Sequence, residues 1–592
     1  MKTAATLGFA LAAPLALSGS MTTPTSAALS DAQLAALDPT LPGRNACRGF
    51  FTGADALDKR LALARSFGAG QLATSAAIGL IGDTGRYDLP ATGLTGEARS
   101  YFDQGIALTY GFNHKAAIRS FREAARLAPD CAMCWWGVAL ANGPNINAGM
   151  DDAANRDALA ALERATELAA SASETERAII AAQKQRYALE GDRAALNAQY
   201  ADAMAALADA NSGNDDLQIL AAEAAMNTTP WNYWTAEKEP QPRIGMAVSR
   251  IETVLARNPQ HPQASHLLIH LLENGPDPRR AEAAADELNR SGPRKLGHLV
   301  HMPAHIYYRI GRYADSIEAN IAAARADEAY LASAPEDALY RYGYYPHNVH
   351  FLLVSALMVG NMQAVASETA RLEAILDADI ARELAWVQAI HAAPHFALAH
   401  SGSPQAILAL TKEKTDLAYV DAMRLYARAV GHSLAGDEAS AEATIAEIDA
   451  LIEAPDVVAM TEQFFPAPDL VKLAGLAARG RLALASGDPS AAVRYFELAE
   501  SIEATIPYSE PPFWYYPVAQ SRGAALYKLG RHEEAVAAFR KALFQAPNNG
   551  WALYGLSKAQ AAAGNRVEAK AAKAKLEEIW QGDTAWLSME RL

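Results

Sequence analysis

The feature that most constrains this chain is a set of small and aromatic residues recurring at helical-hairpin spacing. Within GAALYKLGRHEEAVAAFRKALFQAP stand Gly523, Gly530, Ala535, Phe539, Ala542 and Pro547, and Ala569 follows Ala535 by 34 residues. Alanine lets two helices approach, the aromatic fills the gap to the next pair, and proline ends the second helix. A second copy carries Gly480, Gly487, Ala492, Phe496 and Ala499; a third carries Ala117, Phe121, Ala124 and Pro129 ahead of Trp135. One such hairpin cannot bury its apolar face alone. The pattern therefore predicts an all-α array of stacked helix-turn-helix units sharing one core.

This pattern closely resembles the tetratricopeptide repeat family. The resemblance implies a superhelical α-solenoid whose concave groove is lined by the first helix of each unit. Between the clear copies the consensus weakens. In GRYADSIEANIAAA, Ser316 stands where the alanine belongs and Asn320 where the phenylalanine belongs. The chain divides into a signal segment (1–27), an irregular N-terminal cap (28–96), N-terminal repeats (97–240), divergent histidine-rich repeats (241–430) and C-terminal repeats (431–592). TTPWNYWTAEKEPQPR at 228–243 reads as a loop or insert with an aromatic anchor. The words CAMCWWGVALANGPNIN, GHLVHMPAHIYYRIGRY, YPHNVHF and FWYYPVAQSRGAAL also resemble exported bacterial tetratricopeptide proteins of unassigned function. That likeness implies a fold and an export route, and no reaction.

Composition narrows the function. Hydrophobic residues make up 51% of the chain, with alanine dominant, which favours helices over sheets. A net charge of -15 leaves no basic stripe to replace counterions on phosphates, which excludes a nucleic-acid partner. Lys2, the apolar run from Ala4 to Leu17 and a cleavage point after Ala27 predict export to a periplasmic or secreted location. No later stretch is long and apolar enough for a membrane span. With 3 cysteines, Cys47, Cys131 and Cys134, a disulfide framework does not hold the fold. Cys131 and Cys134 form either a structural disulfide or two buried thiols, with a redox pair as the less favoured reading.

The histidines are concentrated: of 14, all but His114, His261, His432 and His532 lie from His266 to His400. Measured from the alanine position of each second helix, His266 and His270 precede Ala281 by the same offsets at which His301 and His305 precede Ser316. His391 and His395 precede Ala406 likewise, and His350 precedes Val365 at one of the two offsets. His298 and His347 lie one turn further back on the same face. Three- and four-residue spacings stack side chains on one side of a helix, so successive units present imidazoles in one direction.

Neutral imidazoles at this spacing predict a transition-metal site for Zn, Cu or Fe, built from His266, His270, His298, His301, His305, His347 and His350. The first four-ligand set expected is His266, His270, His301 and His305. Glu273 and Glu223 are the carboxylates nearest the stripe, and Tyr307, Tyr308, Arg309 and Asn348 the other polar candidates. Whether such a metal does chemistry stays open at this point. A competing reading makes the stripe, with Tyr307, Tyr308, Tyr344 and Tyr345, a groove for a protein, peptide or small anion without metal. A third treats the histidines as hydrogen-bonded core residues.

Overall fold

The structure, a computed structural model, describes residues 78–463 and 465–592. The signal segment at 1–27, Cys47 and most of the 28–96 segment lie outside the described residues. Among the described residues there is no strand, only an isolated bridge between Trp234 and Pro240. None of their helices is long and apolar enough to cross a membrane.

Consecutive helices pack as hairpins, and the hairpins stack as an all-α solenoid. In the N-terminal repeats, α1 (Gly96–Tyr110) pairs with α2 (His114–Leu127), and α3 (Ala132–Asn142) opens the next unit. The middle repeats include α4 (Pro262–Leu272), α5 (Gly297–His301), α6 (Pro303–Ile310), α7 (Tyr313–Ser333) and α8 (Tyr345–Met358). The C-terminal repeats include α9 (Ala467–Ala485), α10 (Pro489–Glu503), α11 (Val518–Lys528), α12 (His532–Gln545) and α13 (Gly550–Ala562).

The conserved-looking small and aromatic residues lock these units together. Phe121 of α2 sits between Gly105 of α1 and Gly137 of α3, where a Cβ would stand 2.6 and 2.5 Å from its ring. Phe496 of α10 meets Gly480 of α9 in the same way, at 2.5 Å. Phe539 of α12 is wedged between Gly523 of α11 and Gly555 of α13. All three rings are fully buried. Hydrogen alone fits at these glycines, so Phe121 and Phe539 set the distance between successive hairpins, and Phe496 sets that between the two helices of its own.

The polar residues that replace the consensus in the middle are buried too. Ser316 and Asn320 of α7 have no exposed surface. Ser316 Oγ lies 2.9 Å from Ser355 Oγ of α8, and Asn320 Nδ2 donates to the Ser316 carbonyl at 2.8 Å. The unit is held by hydrogen bonds where its relatives along the chain use a ring.

The array closes on itself. Trp551 of α13 donates from Nε1 to the Leu357 carbonyl at the end of α8, at 2.8 Å, and Asn548 Nδ2 donates to the Gly311 carbonyl after α6 at 3.1 Å. Gly311 has φ 77, and a Cβ there would strike the Pro547 carbonyl. The segment between α10 and α11 then crosses the inner face of the middle repeats. At the other end, Trp234 of the 228–243 insert donates to the Leu271 carbonyl at 2.7 Å, which anchors the insert against α4. Cys131 and Cys134 are joined as a disulfide at the start of α3, both buried.

Replacing Gly555 with alanine forces its Cβ into the Phe539 ring, an overpacking that costs about 1–3 kcal/mol. Urea denaturation should show that loss. Gly213→Ala, at a position with nothing within 4 Å, should leave the midpoint unchanged.

Candidate metal centre

Helices α4, α5, α6 and α8 deliver every predicted site histidine to the interior. His266, His270, His298, His301, His305, His347 and His350 are each 4% exposed or less. Six of them gather into two trios whose ring nitrogens lie within 4.8 Å of one another: His266, His270 and His298, and His301, His305 and His347. Each trio has one construction. A pair four residues apart comes from one repeat, and the third ring comes from the following repeat, one turn before its own first histidine position. The expected quartet of His266, His270, His301 and His305 is thus divided between two groups. The reason is that the extra turn at His298 and His347 reaches back to the preceding unit.

His350 joins neither trio. It occupies the third repeat's equivalent of His266 and His301, but Val354 stands where a second histidine would be. Its Nε2 pairs with the Tyr515 hydroxyl at 2.6 Å instead. His391, His395 and His400 also stand outside both trios.

Within each trio the ε nitrogens converge. Nε2 of His266 lies 3.1 Å from that of His298. Nε2 of His301 lies 2.8 Å from that of His305 and 3.0 Å from that of His347. Four of the six δ nitrogens turn outward to fixed acceptors, whereas those of His298 and His347 are buried without a hydrogen-bond partner. His270 Nδ1 faces Glu273 Oε1 at 2.9 Å, and His305 Nδ1 faces Glu273 Oε2 at 2.6 Å, so one carboxylate links the two trios. Glu510, from the segment crossing the inner face, reaches His305 Nδ1 at 3.1 Å. His266 Nδ1 faces Gln263 Oε1 at 2.9 Å and His301 Nδ1 faces Asn320 Oδ1 at 2.7 Å.

Both amides are oriented by their own donors. Gln263 Nε2 donates to Glu223 Oε2 at 3.2 Å, and Asn320 Nδ2 to the Ser316 carbonyl. Their oxygens therefore face the imidazoles, which must donate from Nδ1 and keep a lone pair on Nε2. His301 Nε2 thus meets His305 Nε2, 2.8 Å away, as an acceptor, and the pair needs a cation between them: the Nε2 proton of a charged His305, or a metal ion once His305 gives that proton up.

Electrostatics follow burial. Burial, then the neighbouring histidines, hold His266, His298 and His347 well below the usual imidazole range. His301 is held well below it by burial and by His305. Burial also lowers His270, against the pull of Glu273. His305 is the exception: burial opposes its charge, but Glu273 and Glu510 outweigh that and raise it to about 10. Glu273 is correspondingly pulled down to about 2, its burial overcome by His305 and His270.

Aromatic rings seal the site. Phe112 packs on His266 and His298 at centroid distances of 4.7 and 5.0 Å, and Trp231 meets His270 at 4.9 Å. Phe351 meets His301 and His305 at 5.2 and 5.1 Å. Phe112 and Trp231 both hold positive φ, 56 and 61, a conformation rare for bulky residues. Tyr344 stacks on His298, whereas Tyr307 bonds Asp286, Tyr345 bonds Glu328 and Asn348 bonds Asp327, all away from the trios.

Reading the sequence found Glu273 and Glu223 but missed Gln263, Asn320, Glu510, Phe112 and Trp231. Asn320 carried a signal, since a polar residue replaced the plug directly behind the His301–His305 helix. Gln263 lies one turn before His266. Glu510 carried none, being far away in the chain.

Residues 526–591 match the family model of the tetratricopeptide repeat. No curated protein matches the chain. Among solved structures it is similar to yeast Tom70, at 12% identity over 83% of this chain and 93% of that one, with a TM-score of 0.28. It is similar to Cut9–Hcn1 of the APC/C hetero-tetramer at 12% identity over 71% and 96%, TM-score 0.24, and to the P58(IPK) TPR domain at 16% over 70% and 95%, TM-score 0.18. Nothing about what this chain binds follows from these likenesses.

Removing the shared carboxylate should be costly. Glu273→Ala leaves a buried, charged His305 without its closest partner and strips the acceptor from His270. A loss of about 3–5 kcal/mol is expected in denaturant titration of the metal-free protein; a loss below about 1 kcal/mol would show that Glu273 does not hold the two rings.

Proposed function

We propose that this tetratricopeptide-repeat protein is a metalloprotein that holds a transition metal ion, Zn, Cu or Fe, at each histidine trio. His270 carries the reading. Its Nδ1 is committed to Glu273, and its Nε2 is buried with no hydrogen-bond partner, beside the nitrogens of His266 and His298. A buried acceptor costs free energy unless something positive faces it. Nitrogen ligands at about 2.0–2.1 Å around a tetrahedral ion lie about 3.3 Å apart. The spacings of 2.8 to 3.1 Å fall just below that value, and the remaining pairs of each trio lie within 4.8 Å.

Outer partners on ligand δ nitrogens are what orient metal-binding histidines. Glu273, Gln263 and Asn320 supply them for four of the six rings, two through Glu273 alone. Three nitrogen ligands leave a metal with an open position, the arrangement of reactive rather than closed structural sites. A metal bound there supplies Lewis acidity or, for Cu or Fe, electron transfer. The chain's own part is to keep the imidazoles neutral, exclude water with Phe112, Trp231 and Phe351, and hold a proton on His305 between Glu273 and Glu510. We read the protein as exported, on the strength of the signal-like pattern from Lys2 to Ala27.

Tetratricopeptide repeats in general support capture of protein partners. A partner in the concave groove would not reach the histidine stripe, which is buried beneath the segment bearing Glu510 and Tyr515. A scaffold role here belongs to other surfaces.

Elemental analysis of the purified mature chain should find close to two metal ions per molecule. His301→Ala with His305→Ala should remove one, and His266→Ala with His270→Ala the other, while circular dichroism stays helical. A folded wild-type protein that takes up neither Zn, Cu nor Fe on dialysis would sink the proposal.

A further inference from the structure

Next to the second trio, a cavity of about 240 Å³ opens between the end of α6, the end of α10 and the segment joining α10 to α11. Tyr508, Phe513 and Trp514 give it aromatic walls. Three polar groups that line it are buried and have no hydrogen-bond partner: the Tyr308 hydroxyl, the Ser509 hydroxyl and Trp514 Nε1. Their residues are 5%, 4% and 4% exposed. A buried polar group left unpaired is costly. Three around one cavity point to an occupant with a hydrogen-bonding end. Water would satisfy those groups but not the aromatic walls.

Charge narrows the occupant. Arg309 also lines the cavity, but its Nε lies 3.5 Å from Glu510 and donates to the Glu273 carbonyl at 2.8 Å, and its guanidinium lies over the Tyr508 ring. Glu503 and Glu510 both place carboxyl groups on this space. Two acid side chains facing one cavity set like charge against an anionic ligand and disfavour it. Aromatic walls, unpaired hydroxyl and indole N–H groups, and a guanidinium set between Glu510 and the Tyr508 ring favour a neutral planar ring carrying a hydroxyl.

The inner end of the cavity is shared with the trio. Glu510 lines it while its Oε2 touches His305, and the Tyr508 hydroxyl donates to Glu510 Oε1. We propose that this cavity binds a small neutral phenol, its ring against Tyr508 and Phe513 and its hydroxyl toward the unpaired groups of Tyr308, Ser509 and Trp514, as the substrate pocket of the metal centre. The word substrate rests on the metal reading; the binding does not.

The test titrates phenol, toluene and benzoate into the full mature protein, both stripped by chelator and loaded with Cu(II), following heat by calorimetry and the visible spectrum of the loaded form. Phenol should bind saturably to both forms. Toluene and benzoate should bind at least about tenfold more weakly, a difference of about 1.4 kcal/mol. Ser509→Ala and Trp514→Phe, each checked for native circular dichroism, should each weaken phenol by a similar factor. A phenol-induced change in the Cu(II) spectrum supports the substrate role, and an unchanged spectrum overturns that role. No saturable phenol binding in either form, equal binding of toluene, or indifference to both variants overturns the pocket itself. If the protein takes up no metal yet binds phenol, the metal reading fails and the pocket stands.

Discussion

The wedge of a phenylalanine between two glycines is the contact on which the rest of this molecule depends. Phe121 and Phe539 each stop the next hairpin at a distance that only glycine permits, and Phe496 spaces the two helices of its own hairpin against Gly480. A repeated stop makes a regular stack, and a regular stack brings residues at matching positions of neighbouring repeats within a few ångströms. The two histidine trios exploit that regularity. Each is assembled across a repeat boundary by the same offsets, so a site that looks elaborate needs only one histidine pattern used twice.

Where the site is built, the stack gives up its own rule. Asn320 takes the place of the phenylalanine and spends both ends of its amide, one on the Ser316 carbonyl and the other on His301. A ring at that position would fill the gap and leave His301 without its outer acceptor. The residue that looks like decay of the repeat is the one that orients a ligand. Glu273 does the same work for two rings at once, and its position between His270 and His305 couples the electrostatics of both trios.

Closure of the array turns a lined groove into an interior. Docking of Trp551 and Asn548 on the ends of the middle repeats draws the α10–α11 segment across the histidine face. That segment contributes Glu510 to His305 and Tyr515 to His350. Burial then does the electrostatic work: it keeps most of the trio imidazoles neutral, and in the metal-free protein it leaves the charge on His305, where Glu273 and Glu510 both meet the ring.

Much of this was legible in the residues. The small–aromatic–proline spacing determined an all-α array of stacked hairpins, and the offsets from Ala281 and Ser316 determined that His266, His270, His301 and His305 share a face with His298 and His347. Periodicity carries that information because a helix repeats every few residues whatever lies around it. What the tertiary structure alone decided is which rings meet, the division into two trios, the diversion of His350 to Tyr515, and the arrival of Glu510. Those depend on the pitch between hairpins and on the closing of distant repeats, contacts separated by up to hundreds of residues that no local period encodes.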